Sequence, residues 1–189
     1  MIFKWVDYCE KYDEELDTWT GDADIQRFAI DDSIKEEHEY YMKISDDYDG
    51  HDYKLNETYF CKVVLDGDII AAVLFIIRKD YSPFCNMITI NPIIVNPKYR
   101  NKGYGTKIIG ELINNISEII GYDSNIFAAD SYTENKASIR TFEKNGFALA
   151  GIHAGGDFTY WIYPTSELEN YRKYCADSMG NDFVVLSTL

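Results

Sequence analysis

Basic residues are scarce in this sequence. The 189-residue chain carries 18 Lys and Arg against 32 Asp and Glu, a formal net charge of −14. Such a chain repels phosphate backbones, so no nucleic-acid partner is expected. Cysteine is sparse too. Cys9, Cys61, Cys85 and Cys175 are scattered, with no C-x-x-C pair. That spacing excludes a closed zinc site and a disulfide framework, so no metal is expected, and it fits a reduced cytoplasmic protein. No apolar run approaches the ~20 residues of a membrane span. The opening "MIFKWVDYCEKYDE" has neither the basic flank nor the apolar centre of a secretory leader. The expectation is a soluble cytoplasmic protein without membrane association. There is no internal repeat, low-complexity tract or Pro/Gly/Ser-rich linker. With 46% hydrophobic residues, residues 1–189 read as one compact domain.

Charge is unevenly placed. Residues 1–57 hold 18 acids against six bases. Residues 98–107 hold Lys98, Arg100, Lys102 and Lys107 with no acid, and residues 136–144 hold Lys136, Arg140 and Lys144 against Glu143 alone. These two clusters are either solvated helix faces or the two sides of one anionic ligand.

The patterning predicts an order of elements. Residues 1–6 read as a strand, and residues 7–19 and 32–45 as helices, the second opened by Asp32 or Ser33 with Glu36 nearby. Residues 46–57 read as a loop. Residues 58–65 and 69–78 are rich in β-branched and aromatic residues and read as a hairpin around Asp66-Gly67. "YSPF" reads as a turn and residues 86–95 as a third strand. Pro92 lies within that strand, where its missing N–H marks an early end or a splayed, bulged segment. From about 103 to 120, Tyr104, Ile108, Ile109, Leu112, Ile113, Ile116 and Ile120 recur at helical spacing. A short strand at 125–130, a helix ending at Asn145-Gly146, an aromatic strand at 157–164, a helix at 166–178 and a last strand complete the reading. The class is α/β (α+β) around one mixed sheet.

"RNKGYG" (100–105) lies between the third strand and the long helix. A helix start exposes unpaired N–H groups, and glycines let an anion reach them. The stretch lacks the Lys-Ser/Thr pair of a P-loop, and Gly103, Gly105 and Gly110 do not keep G-x-G-x-x-G spacing.

"VNPKYRNKGYGTKII" (95–109) resembles the [RQ]-x-x-G-x-[GA] motif of the GNAT superfamily of acyl-CoA-dependent N-acetyltransferases, through Arg100, Gly103 and Gly105. "ENKASIRTFEKNGF" (134–147) resembles that family's second motif through Asn135, Ser138, Phe142, Lys144, Gly146 and Phe147. The resemblance spans roughly residues 58–163. It implies a mostly antiparallel mixed sheet with a splayed central strand pair and flanking helices. It implies acetyl-CoA as co-substrate, cradled by Arg100, Asn101, Lys102, Gly103, Tyr104, Gly105 and Thr106. Ile93, Ile94 and Val95 would pair with the pantetheine arm, and Asn135, Ser138, Phe142 and Lys144 would lie along it. Residues 1–57 would form the acceptor side, and residues 165–189 extend past the usual end.

The implied reaction is acetyl transfer to a small-molecule amine. Relatives often carry Tyr where this chain has Phe142, and a Glu on the splayed strand where this chain has Thr89 and Asn91. Ser138 and Tyr132 are the candidate proton donors to the leaving thiolate, and Asp130 is the candidate base, with a loop-capping Asx turn as its plainer role. His153 is a weaker candidate. The acid-rich segment favours a cationic acceptor. A non-catalytic acyl-CoA-binding module is the alternative, and whether the chain forms a homodimer is left open.

Overall fold

The computed structural model describes residues 1–21, 57–78, 84 and 86–186. The helix expected at 32–45 lies outside them, as do the loop at 46–56 and most of the "YSPF" turn. Strand β1 is Lys4–Asp7 and helix α1 is the five residues Asp13–Asp17. The meander is β2 (Glu57–Asp66), β3 (Asp68–Arg78) and β4 (Met87–Val95). Then come α2 (Tyr104–Ile120), β5 (Phe127–Tyr132), α3 (Lys136–Lys144), β6 (Ala148–His153), β7 (Phe158–Tyr163), α4 (Leu168–Met179) and β8 (Phe183–Val184).

Among the described residues the strands form one eight-stranded sheet in the order β1-β2-β3-β4-β5-β7-β6-β8. Every pairing is antiparallel except β4 with β5. This is the mostly antiparallel, helix-flanked α/β class expected from the sequence. Gly67 supplies the positive φ of the β2–β3 turn, at +77°, a conformation that suits glycine.

Two expectations change. Residues 7–19 are not one helix: β1 runs to Asp7 because its backbone pairs with Lys62–Leu65 of β2, leaving only α1 between short 3₁₀ turns. The sequence reading had no strand at Ala148–His153. "ALAGIH" lacks a clean alternation and contains Gly151, yet neighbours on both sides recruit it as β6. A Cβ on Gly151 would lie 2.5 Å from the Phe183 ring and 2.6 Å from the Val184 carbonyl, so the glycine lets the C-terminal segment close on β6.

The strand alternation divides the core between two faces. On one, Val73, Phe75, Ile88, Ile90 and Phe127 pack against Ile108, Ile109 and Leu112 of α2 and Phe142 of α3. Burying each such side chain is worth about 1.5–3 kcal/mol, so the apolar stripe of α2 is a main anchor of this face. On the other face, Leu16 and Trp19 cover Ala72, Leu74 and Ile94 at one end, and α4 covers Ala128, Ala150 and Ile162 at the other. The buried Glu111 carboxylate accepts from the amides of Ile2 and Phe3 and from the Trp5 indole, tying the N-terminal strand to α2.

Candidate active site

The sheet parts at its centre. β4 and β5 pair only at Ile88–Ile90 with Phe127–Ala129. Beyond these pairs β4 continues five residues to Val95 and β5 three residues to Tyr132. The cause is visible on the other side of β4. Val73 pairs with Ile93 but Phe75 with Ile90, so Asn91-Pro92 carries an extra residue opposite Leu74. A bulge of this kind bends its strand and increases the local twist, and Pro92 has no N–H to offer. Ile93, Ile94 and Val95 therefore bond to β3 on one edge and have no strand partner on the edge facing β5 among the described residues.

The chain then turns into the basic glycine loop. Asn96 is 2% exposed, its Nδ2 donating to the Ile69 carbonyl at 2.8 Å and its Oδ1 accepting from the Lys98 amide at 3.0 Å. Arg100 Nε donates to the Val95 carbonyl at 2.8 Å, so this arginine ties the loop to the end of β4. Asn101 and Gly103 both have positive φ, +59° and +79°. Left-handed residues close together gather backbone N–H groups into an anion-sized concavity. The first intrahelical bond of α2 runs from the Lys107 amide to the Gly103 carbonyl, leaving the amides of Tyr104, Gly105 and Thr106 without acceptors inside the helix. Tyr104 packs its ring against Tyr99 and Phe3, with centroids 5.4 and 6.0 Å away. Its contribution to the loop is thus its amide.

The second basic cluster lies alongside. Asn145 Nδ2 donates to the carbonyls of Thr106 and Thr141, bridging α2 and α3. A Cβ on Gly110 would lie 2.9 Å from Asn145 Oδ1, so Gly110 permits this close crossing rather than completing a glycine motif. Lys102 and Lys107 from one segment, and Lys136, Arg140 and Lys144 from the other, are exposed, and Lys144 lies at the end of α3 that Asn145 ties to the start of α2. The loop, the free helix-start amides and this charge fit a pyrophosphate-bearing ligand such as coenzyme A.

Asn135 caps α3, its Oδ1 accepting from the Ser138 amide at 3.1 Å. Its amide nitrogen remains a donor for a ligand. Phe142 is 3% exposed and packs on Phe147 and Trp161, so its ring belongs to the core. Ser138, one turn earlier, is half-buried.

Asp130 is the first β5 residue beyond the paired segment, at the fork. It lies on the face opposite α2 and α3 and lines a cavity of about 310 Å³ with Arg78, Thr89, Tyr160 and side chains of α4. Its accessible area is that of an exposed residue, whereas the crowding around it is that of a buried one. The cavity reconciles the two: it admits solvent to the carboxylate, while the surrounding walls govern its charge. Burial pushes the Asp130 carboxyl up, and its own backbone amide and Arg78 pull it down by less. Thr89 Oγ1 is buried without a hydrogen-bond partner among the described residues. An orphaned buried hydroxyl of this kind suits a ligand atom.

The other candidates stand apart. Tyr132 is exposed, two residues past Asp130, with its ring 4.4 Å from Phe158. His153 Nδ1 lies 2.7 Å from Asp157 Oδ1 on the β6–β7 connection, and that contact holds the Asp157 carboxyl down. Cys175 lines the cavity, but burial pushes its thiol up to about 11, so it stays protonated and is no acyl-accepting nucleophile. Arg78, Tyr160 and the α4 residues carry no motif in the sequence. Only the fold brings them to Asp130.

The family model described as "Acetyltransferase (GNAT) family" matches residues 14–147. No curated protein matches the chain in sequence. Among solved structures, similar folds include a spermidine N-acetyltransferase from Vibrio cholerae in complex with CoA and spermine, 17% identical, covering 89% of this chain and 99% of that one at a TM-score of 0.61. An aminoglycoside N(6')acetyltransferase from Legionella pneumophila is 14% identical, covering 91% and 97% at 0.64. Aminoglycoside acetyltransferase AAC(6')-Ib in complex with coenzyme A and kanamycin is 17% identical, covering 90% and 99% at 0.60. At these identities the likeness is one of fold.

Proposed function

The chain belongs to the GNAT acetyltransferase family and is an acyltransferase, and from that premise we propose that it moves an acetyl group from acetyl-CoA to a primary amine of a small cationic acceptor. The observation that carries this reading is the fork between β4 and β5, with the basic loop of Asn101 and Gly103 past the end of β4 and Asp130 in a cavity on the face opposite α2 and α3.

The division of labour follows from these positions. The amides of residues 101–106 and the basic side chains of α2 and α3 hold the phosphates. The free edge of Ile93–Val95 pairs with the pantetheine amides, which brings the thioester to the fork. Backbone N–H groups there polarise its carbonyl. The amine approaches from the opposite face. Asp130 holds the incoming ammonium and takes its proton, a task suited to a carboxyl that burial raises above its ordinary value. The neutral amine attacks the thioester carbon and forms the C–N bond, the C–S bond breaks, the attacking nitrogen gives its extra proton to water, and coenzyme A leaves as a thiolate that takes a proton.

Phe142 has no proton to give. Ser138, one turn nearer the start of α3, is the side chain we assign to the thiolate, with Tyr132, which stands further off, as the second candidate. Phe142→Tyr is therefore expected to keep or raise turnover, and Ser138→Ala to lower it by about a hundredfold, the lower end of general-acid effects. Steady-state rates with one fixed acceptor measure both. Wild-type turnover in Ser138→Ala would leave protonation to solvent.

The acceptor class rests on charge. Residues 1–57 carry a net −12, and a surplus of carboxylates raises the association rate of cations in a salt-dependent way. The V. cholerae and AAC(6')-Ib structures hold spermine and kanamycin, both amines. The experiment follows thiol release from acetyl-CoA with spermidine, an aminoglycoside, and a neutral and an acidic amine, at low and high salt. The cationic amines are expected to give kcat/KM about tenfold higher or more, falling as salt rises. Preference for the acidic amine, or no salt dependence, would overturn the cationic acceptor and leave the acetyl donor standing.

A further inference from the structure

α4 begins some twenty residues past the last residue matched by the family model, and it forms a wall of the cavity at Asp130. Tyr171, Tyr174, Cys175, Ser178 and Met179 all line it. Tyr171 and Cys175 are buried and form its floor, whereas Ser178 is exposed and stands at its rim. The helix is held firmly. Arg172 Nε donates to the Ala150 carbonyl at 3.0 Å, Arg78 Nη1 donates to Tyr174 Oη at 3.3 Å, and Phe84 packs against both Tyr171 and Tyr174. Phe183, just beyond the helix, seats on Gly151. A wall pinned at so many points has a fixed distance from the sheet.

We infer that α4 is a specificity element: Tyr174, Ser178 and Met179 contact the stem of the acceptor beside its reacting amine and admit only a slender, unbranched alkylammonium arm. This inference rests on the proposed acceptor side of the fork. Two observations support it. At about 310 Å³, the cavity is at the small end of ligand sites, which run from about 300 to 1,000 Å³. It takes one arm of a larger amine, not a whole ring assembly. Its chemistry is graded: the Asp130 carboxylate and the orphaned Thr89 hydroxyl lie on the sheet side, while α4 presents aromatic faces, a thioether and hydroxyls. Tyrosine faces attract an ammonium as it passes, and an apolar wall prices each extra branch by the space it lacks.

The test uses the full chain and linear amines of increasing length, together with amines branched next to the aminomethyl group. Acceptor kcat/KM and KM for acetyl-CoA are read separately. In the wild type, one branch is expected to lower kcat/KM by about tenfold or more, the usual worth of one methylene-sized misfit. Met179→Ala should shrink that ratio by widening the wall. Ser178→Phe should raise the KM for every amine. In both variants the KM for acetyl-CoA should stay within about twofold, which locates the change on the acceptor. An unchanged linear-to-branched ratio in both variants, with transfer intact, overturns the role of α4 alone. No thiol release with any amine in the wild type, although coenzyme A still raises its Tm, overturns both this inference and the acceptor side on which it rests.

Discussion

Asp130→Asn is expected to lower kcat/KM by about 10²–10⁴, the range for loss of a positioned general base, while the folded protein becomes no less stable. The side chain keeps its size and its place beside Arg78 and Tyr160, so acetyl-CoA binding should persist. The stability half of this prediction follows from the direction of the shift. Burial raises the folded-state carboxyl above its unfolded value. A group raised in this way favours folding below its unfolded pKa and loses that advantage as pH rises through the folded pKa. Wherever Asp130 is ionised it therefore opposes folding, and a neutral amide removes the opposition. Melts should show Asp130→Asn at or above wild type at pH 7, with the gap closing as pH falls below the ordinary carboxylate range.

The same shift gives wild-type kcat/KM an acid limb above that ordinary range, and Asp130→Asn should lack it. The ionisable groups facing Asp130 do not confuse this assignment. Arg78 stays charged, burial raises Tyr160 and Tyr171, and Cys175 is pushed up to about 11. Among the described residues lining the cavity, Asp130 is the only carboxyl. Turnover in Asp130→Asn within about threefold of wild type would move proton removal to water or another group.

Gly103→Val is expected to abolish coenzyme A binding in a protein that still folds. A ligand at about one hundred times its Kd stabilises the native state by about 2.7 kcal/mol, and this shift should vanish. Nothing lies within 4 Å of a Cβ built on Gly103, so no clash arises, but its φ of +79° is hostile to a β-branched residue. That strain is about 1–3 kcal/mol and lowers the Tm of the free protein. Gly121→Val separates strain from binding. Gly121 ends the same helix at φ +75°, also in open space. It should show a similar drop in the free protein and the full coenzyme A shift. Loss of the shift in both variants would trace the effect to α2 as a whole. Retention in Gly103→Val would place the phosphates elsewhere.

The parts of the fold legible in the sequence are those where local physics and packing agree. The α2 stripe, the Asp66-Gly67 hairpin, Pro92 and the glycine loop each declare themselves within one short stretch of chain, 17 residues for the longest. β6 did not, because "ALAGIH" becomes a strand only between β7 and β8. β1 extends to Asp7 because β2 offers it a ladder, which no propensity in "WVDYCE" announces. Asn135 and Ser138 stand out in the sequence through a motif, and the structure shows that motif capping α3. Arg78, Thr89, Tyr160 and α4 had no such signal.

By itself, then, the sequence determined the family, the basic glycine loop and the splayed strand. Turn glycines, helix caps and a proline within a strand act through the backbone of their own segment, and so survive in the linear pattern. Only the tertiary structure decided what surrounds Asp130. Its raised carboxyl, the orphaned Thr89 hydroxyl and the α4 wall come from five elements spread between residues 76 and 179. Burial and electrostatics depend on distance through space, and nothing in the order of residues along the chain encodes it.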